Sequence, residues 1–178
     1  KEIREFAMFV ARMPGIDRRL AGIGEPGTLA PDRMRGPVAR AAGILNDART
    51  ADTGYQALGF TPVVRAGGDA LARLQVRLAE ITSSLGLYVA VADSYYGTSH
   101  SVSLPSHLSG TAEATIETPQ GAVWLQIVVD HGAVISVHLD PPSVPHIGLV
   151  PEITAGEEVA DALVAVASLD LSPWEVDP

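Results

Sequence analysis

Five histidines, His100, His107, His131, His138 and His146, are the strongest neutral metal ligands in this 178-residue sequence. No two of them stand at the i, i+4 spacing that would put both imidazoles on one helix face. His131 reads as a turn residue and His138 as part of the strand that follows, so these rings would meet only if the strands curl. They are expected to be surface or hydrogen-bonded imidazoles. The chain has no cysteine, which removes disulfides, cysteine-held iron–sulfur clusters, thiolate zinc sites and thiol catalysis. Serines, histidines and aspartates could be grouped into a triad on paper, yet no Gly-x-Ser-x-Gly elbow is present to present the nucleophile. Gly22-Ile23-Gly24 and Gly67-Gly68 lack the spacing of a dinucleotide loop, and Lys1 is the only lysine, so a phosphate cradle is disfavoured. Arg73 and Arg77 lie one turn apart, flanked by Asp69 and Glu80. Either they form solvent-facing ion pairs along a helix, or they are a guanidinium pair on a buried helix that orients a partner subunit or an anionic redox site.

The elements that would position these side chains follow from periodicity. Ile3, Phe6, Ala7, Val10 and Met13 recur at helical spacing until Pro14-Gly15. Residues 22–37, punctuated by glycine and proline, are expected to be ordered loop, and residues 46–64 irregular with at most a short strand at Phe60 to Val64. After Gly67-Gly68, Asp69 can cap a long helix whose Leu71, Leu74, Leu78, Ile81, Leu85 and Tyr88 form a bundle-type seam. Its polar stripe is Asp69, Arg73, Arg77, Glu80 and Ser84. Residues 93–110 carry six serines and read as a connector, the one candidate internal boundary in a single domain spanning 1–178. Thr111 to Thr118, Ala122 to Val129 and Ala133 to Leu139 then alternate or run β-branched between turns, the pattern of a three-stranded antiparallel meander. A capping box, Thr154 with Glu157, announces a last helix whose buried face would be Val159, Ala162, Leu163 and Val166. The tail from Ser168 is too short and proline-broken to continue it.

Charge is divided sharply along the chain. Residues 1–77 hold all 12 Lys and Arg against 8 acidic residues, whereas residues 78–178 hold 13 acidic residues and no Lys or Arg. That second stretch is a poor surface for nucleic acid or anionic lipid. It is either a solvated acidic face or an acidic surface awaiting a basic partner. The hydrophobic fraction of 47% and mean hydropathy of +0.21 suit a subunit that buries much of its surface against partners. No apolar run is long enough to span a bilayer, so a cytoplasmic protein is expected, peripheral on the cytoplasmic face of the inner membrane if it joins a membrane complex.

Several short motifs occur in a fixed order: Gly22-Ile-Gly24, Thr28-Leu-Ala-Pro-Asp32, Gly36-Pro-Val-Ala-Arg-Ala-Ala-Gly43, Asp47-Ala-Arg49 with Tyr55, Phe60-Thr-Pro-Val63, Gly68-Asp69 with Arg73, and Val76-Arg77 with Glu80. The order continues through Ala112-Glu-Ala114 with Pro119-Gln-Gly121, Val129-Asp-His-Gly132, Pro142-Ser143, Ala160-Asp161, and Ser168-Leu-Asp170 with Glu175-Val-Asp177. In this order they resemble the C-terminal half of the respiratory complex I 49-kDa family (the D subunit of NADH:quinone oxidoreductase), related to NiFe hydrogenase large subunits. The resemblance implies an α+β, hydrogenase large-subunit-like fold: a long-helix bundle with a small antiparallel β meander and a C-terminal helix. It also implies a quinone as ligand of the parent complex and a partner subunit that holds a 4Fe-4S cluster.

In the hydrogenases an Asp-Pro-Cys-x-x-Cys tail ligates nickel and iron. Here it aligns with Asp170-Leu-Ser172-Pro-Trp-Glu175, so both thiolates are replaced and no metal is expected. The same location forms quinone-cavity wall in complex I subunits, which makes Ser172, Pro173 and Trp174 the candidate lining residues. Arg40, Arg49, Arg73 and Arg77 are the candidate contacts for the iron–sulfur partner. Two departures qualify the likeness. The family's quinone-headgroup His and Tyr would precede Lys1, and the family's helical stretch between the long helix and the meander is reduced to the serine-rich connector. The chain is therefore expected to be either a fragment of a larger polypeptide or a shortened relative, without catalysis of its own. It would act as a cavity-shaping subunit of an electron-transfer complex or as a degenerate assembly module. An unrelated hydrolase would instead require several Ser, His and Asp side chains to converge in one pocket.

Overall fold

The computed structural model describes residues 2–27, 31–92, 105 and 107–175. Helix α1 (Glu2–Ala11) lies along the long helix α5 (Ala70–Ala92). Of the apolar α1 residues only Ala7 is buried there; Ile3, Phe6, Met8 and Phe9 stay exposed. Between them run α2 (Ile16–Leu20), a 3-10 turn at Pro31–Arg33, α3 (Gly36–Ala41), a second 3-10 turn at Ala48–Ala51 and α4 (Thr53–Ala57). Residues 60–64 form no strand, and residues 48–57 are helical turns instead of irregular chain. The reason is local. The Asp47 carboxylate accepts from the Arg49 N–H at 3.1 Å, and Asp52 accepts from the Gly54 and Tyr55 N–H groups at 2.8 and 3.0 Å. Short acidic side chains that satisfy the first free N–H groups nucleate helical turns.

Helix α5 begins as its sequence dictates. Asp69 Oδ1 accepts from the Ala72 N–H at 2.7 Å, while Oδ2 takes the Gly22 N–H at 2.8 Å, so one carboxylate caps the helix and ties down the preceding loop. The orientation of the helix is the reverse of what hydrophobicity suggests. Leu71, Leu74, Leu78, Ile81 and Leu85 are only half-buried and Tyr88 is exposed, whereas Arg73 and Val76 are fully buried. Of the polar stripe, Arg73 is buried, Asp69, Arg77 and Glu80 are half-buried, and Ser84 is exposed.

Strands β1 (Gly110–Thr118), β2 (Gly121–Asp130) and β3 (Ala133–Asp140) pair antiparallel in the order β1-β2-β3, the meander expected from the alternation. The register sets Ala112 opposite Ile127, Ala114 opposite Leu125 and Ile116 opposite Val123, with Val137 and Leu139 continuing the same face across Ile127 and Leu125. One face is thus apolar. The other mixes Thr111, Glu113, Thr115, Gln126, Ser136 and His138 with Trp124 and Val128. The connector assigned to 93–110 falls mainly outside the described residues. Its end is tied to the β2–β3 turn, where Ser109 Oγ donates to Asp130 at 2.9 Å and accepts from the His131 N–H at 2.9 Å.

The chain closes through α6 (Ser143–Ile147), α7 (Val150–Thr154) and α8 (Val159–Ser168). The expected capping box does not form. Thr154 ends α7, its hydroxyl donating back to the Val150 carbonyl, and the Glu157 carboxylate leaves the helix to accept from the Gly24 N–H at 3.1 Å. The expected buried face of α8 is also displaced. Val159 and Leu163 are exposed, and Ala165 and Leu169 are buried instead. Ala165 packs so closely on Gly24 that a Cβ there would lie 2.7 Å from the Ala165 Cβ, an approach that only small residues permit. The core around them is built from Ile23, Met34, Val38, Leu149, Ile153 and Leu169.

The helical body meets the sheet at Gly36 and Gly121. Gly36 has φ +53°, and a Cβ there would overlap the Gly121 backbone. Gly36→Ala should therefore cost about 2 kcal/mol or more in urea unfolding, against about 1 kcal/mol for Gly59→Ala. Gly59 shares a positive φ of +71° and faces open space. Equal costs at the two positions would mean that the Gly36–Gly121 junction carries no packing.

Candidate functional site

Arg40 on α3 is fully buried, and its guanidinium gathers residues from three other segments. Nε donates to Glu80 on α5 at 2.7 Å, and one terminal nitrogen donates to Glu117 on β1 at 2.9 Å and to the Asn46 carbonyl at 2.5 Å. Asp47 lies 3.3 Å from the same nitrogen. Arg49 forks onto Asp47 at 2.9 and 2.7 Å and lies over the Phe60 ring, 4.4 Å from its centroid. Glu117 completes the joint by accepting from the Ala48 N–H at 2.9 Å. Two guanidinium groups thus serve three carboxylates. Burial works against charge on Arg49, but Asp47 more than offsets it and its pKa is raised. Burial pushes the Glu80 carboxyl above the usual carboxylate range, opposed by Arg40. A buried pair of this kind stands only because each charge has partners.

A second pair of guanidinium groups holds the C-terminal segment. Arg73, fully buried, donates to Ser168 Oγ at 2.5 Å and to the Gly24 carbonyl. Arg77 donates to the carbonyls of Ser168 at 2.9 Å and Leu169 at 3.3 Å, with Asp170 3.7 Å from its Nε. These carbonyls end α8, where the helix leaves unpaired acceptors and a partial negative charge. Burial, with Arg77 beside it, lowers the Arg73 pKa to about 10, and burial lowers that of Arg77. The intrahelical pairs with Asp69 and Glu80 are not formed; Asp69 caps the helix and Glu80 serves Arg40. Further along the tail, Ser172 donates its N–H to Ser143 Oγ at 3.0 Å, and the Glu175 carboxylate accepts from the Ser143 hydroxyl at 2.5 Å and N–H at 3.2 Å. The tail is therefore tucked against α5 at one end and α6 at the other.

Where these two arginine clusters approach each other, a cavity of about 610 Å³ opens beside α5. Ile3, Ile81, Leu85 and Tyr88 supply its apolar side, and Arg49, Arg77, Glu80, Glu117 and Asp170 supply charge. An apolar trough with a few converging polar groups is the usual form of a small-molecule site. Of the residues singled out in the sequence, Arg49 and Arg77 reach this cavity, while Arg40 and Arg73 sit behind it as internal supports. The tail contributes Asp170 to the wall. Ser172 and Pro173 lie at the α6 contact, and Trp174 is 91% exposed. Sequence reading missed Glu80, Glu117 and Asp170 as wall residues, because their partners lie 40 to 93 positions away along the chain, as in Arg40 with Glu80 and Glu117 and Arg77 with Asp170.

Among the described residues no group of three His, Asp or Glu side chains is arranged as a metal site, and no helix is long and apolar enough to cross a membrane. His146 is buried, and its Nε2 accepts from the Arg35 N–H at 3.1 Å.

Comparison with known proteins fits this picture. The sequence profile of the family described as respiratory-chain NADH dehydrogenase, 49 Kd subunit, matches residues 1–106 and 89–178. The D subunit of NADH-quinone oxidoreductase from Desulfotalea psychrophila is 29% identical over 192 residues, covering 99% of this chain and 50% of the relative. A D subunit of the same enzyme from Solibacter usitatus is 27% identical, covering 99% and 53%, and that of Frankia casuarinae is 29% identical, covering 96% and 45%. The chain spans about half the length of the curated relatives it matches. The Frankia alignment runs over 220 residues, more than the 178 of this chain, so that relative carries internal residues with no counterpart here. The two matched pieces overlap on 89–106, which supports a shortened connector after α5.

Burial, together with Arg77 and Arg35, holds the His146 imidazole down at about 4 from its ordinary 6.5. The unfolded chain then takes up a proton near pH 6.5 that the folded chain refuses until about pH 4. Stability should fall as pH drops through that window, by roughly 3 kcal/mol for this group. Urea unfolding of the parent and of His146→Gln at pH 7 and pH 4.5 checks this; the variant should lose most of the imidazole's share of the slope, and an unchanged slope would contradict it.

Proposed function

The chain belongs to the family of the 49-kDa subunit of respiratory-chain NADH dehydrogenase, and on that premise we propose that it shapes the quinone-side cavity of an NADH:quinone oxidoreductase-like complex and docks on a subunit that carries a 4Fe-4S cluster. The observation that carries this reading is the cavity beside α5. Its trough of Ile81, Leu85 and Tyr88 suits an apolar ring and tail, and Arg49 and Arg77 stand at the charged end as donors to a carbonyl oxygen. Quinone chemistry itself, a two-electron, two-proton reduction, belongs to the assembly, and this chain's residues bind and orient. Arg40 and Arg73 act from behind by fixing the segments that carry Arg49, Glu80 and Asp170. Trp174, 91% exposed beside Ser172 and Pro173, is read as wall on the side closed by the partner. A hydrogenase large-subunit-like ancestry of the fold and a position on the peripheral face of the membrane complex belong to the same proposal.

A second reading, an assembly module that no longer admits quinone, is favoured by the shortened connector at 89–106. Titration of the purified chain with ubiquinone-1, followed by tryptophan fluorescence, separates the two. The cavity reading expects saturable quenching that Leu85→Glu weakens at least about tenfold, a loss of about 1.4 kcal/mol. Unsaturable quenching, equal in parent and variant, would remove the cavity reading and leave the assembly module.

A further inference from the structure

The charged end of the cavity beside α5 is unequal in what it can still bond. Arg77 donates Nη1 and Nη2 to the carbonyls of Ser168 and Leu169, and its Nε is buried without a hydrogen-bond partner among the described residues. Arg49 commits Nε and Nη2 to Asp47, and among the described residues no hydrogen bond engages its Nη1. The carboxylates are less fully used. Glu117 employs both oxygens, on Arg40 and on the Ala48 N–H. Glu80 holds Arg40 through Oε1, and no hydrogen bond of the described residues falls on Oε2. The half-exposed Asp170 carboxylate accepts none from those residues, since Arg77 Nε stops short of it at 3.7 Å. Asp170 is also one of two non-glycine residues among them with positive φ, at +58°, a costly conformation that clusters at ligand sites and that aspartate tolerates better than most side chains. With Arg77 it lines both this cavity and a neighbouring one of about 350 Å³.

A carbonyl oxygen can only accept, whereas a phenolic hydroxyl accepts and donates at once. A quinone oxygen at this end finds donors in the two guanidinium groups, but it turns its lone pairs on the free oxygens of Asp170 and Glu80. A hydroquinone hydroxyl satisfies both kinds of group. The hydroxyls of Tyr55, Ser84 and Tyr88, which line the same cavity, rotate to serve either form and do not discriminate. We propose that the cavity prefers the reduced, hydroxyl-bearing form of a neutral ring ligand, and that Asp170 is the acceptor that reads the hydroxyl. The inference rests on the quinone-side reading of the cavity and adds which redox form the cavity retains.

Calorimetric titration of the purified chain under argon compares three probes: ubiquinone-1, ubiquinol-1 and the dimethyl ether of ubiquinol-1, which keeps the aromatic ring but can only accept. Ubiquinol-1 should bind at least about tenfold more tightly than either of the others, the share of one charge-assisted hydrogen bond. Asp170→Asn keeps the backbone conformation, and its amide can donate to a carbonyl as well as accept from a hydroxyl. The variant should therefore bind ubiquinol-1 and ubiquinone-1 within about twofold of each other. Because the three probes are compared on the parent chain, the result stands even if the variant folds poorly. Ubiquinone-1 binding as tightly as ubiquinol-1, the ether matching ubiquinol-1, or an unchanged ratio in Asp170→Asn would each overturn the preference, while saturable binding of ubiquinone-1 would leave the cavity reading in place. Saturable binding of none of the three would remove both.

Discussion

The structure depends on buried guanidinium groups that draw acceptors from distant segments, although Arg40 Nη2, Arg73 Nε and Arg77 Nε are buried without a hydrogen-bond partner among the described residues. Arg40 and Arg73 are the two largest side chains that lie wholly inside, in a core otherwise rich in alanine and valine. An ion pair moved out of water regains its hydration only through good geometry and several partners. Here that requirement becomes an instruction for assembly. Arg40 can be satisfied only when α3, the turn after Asn46, α5 and β1 are all in place, and Arg73 and Arg77 only when the end of α8 meets α5. Such networks specify an arrangement more than they stabilise it, since an apolar replacement of similar volume is often tolerated energetically.

This explains which parts of the molecule were legible in the sequence. The meander was, because alternation with period two and the turns at Pro119-Gln120-Gly121 and Asp130-His131-Gly132 are local signals. The long helix was too, with its Asp69 cap. Its orientation was not. Leu71, Leu74 and Leu78 form a regular seam that hydrophobicity assigns to the core, while spacing leaves the arginines open between solvent-facing ion pairs and a buried guanidinium pair. Arg73 and Arg77 turn inward because their partners, the Gly24 carbonyl, Ser168 and Leu169, are distant in sequence and invisible to i, i+4 reasoning, as is the Arg40 partner of Glu80. The capping box failed for a related reason: Glu157 found a better donor in the Gly24 N–H, across the fold. Val159 and Leu163 looked buried by type, but the close approach of Gly24 to Ala165 turns them outward.

The candidate site inherits the same logic. Its wall residues Arg49, Glu80, Glu117, Arg77 and Asp170 are held by one another and by Arg40, Asp47 and the carbonyls that end α8. The resemblance drawn from motif order named the family, and the family profile matches along the chain. It pointed toward Ser172, Pro173 and Trp174 for the cavity, and the half-open trough beside α5 takes Asp170 from the same tail. The exposed sheet face, the exposed Phe6 and Phe9 of α1 and the exposed Trp174 describe a chain whose surface is only partly finished by itself, in keeping with relatives that are subunits of NADH-quinone oxidoreductases.

The central claim is that the Arg40 network joins the meander to the helices as one cooperative joint. A double-mutant cycle of Arg40→Met and Glu117→Gln, read by urea unfolding at pH 7, tests it most directly. The two substitutions should be strongly non-additive, with a coupling of about 2 kcal/mol or more and the double variant more stable than the sum of its parts predicts. Additivity within about 0.5 kcal/mol would mean that the two residues are neighbours without being a joint, and the account of how this fold positions its cavity would fail.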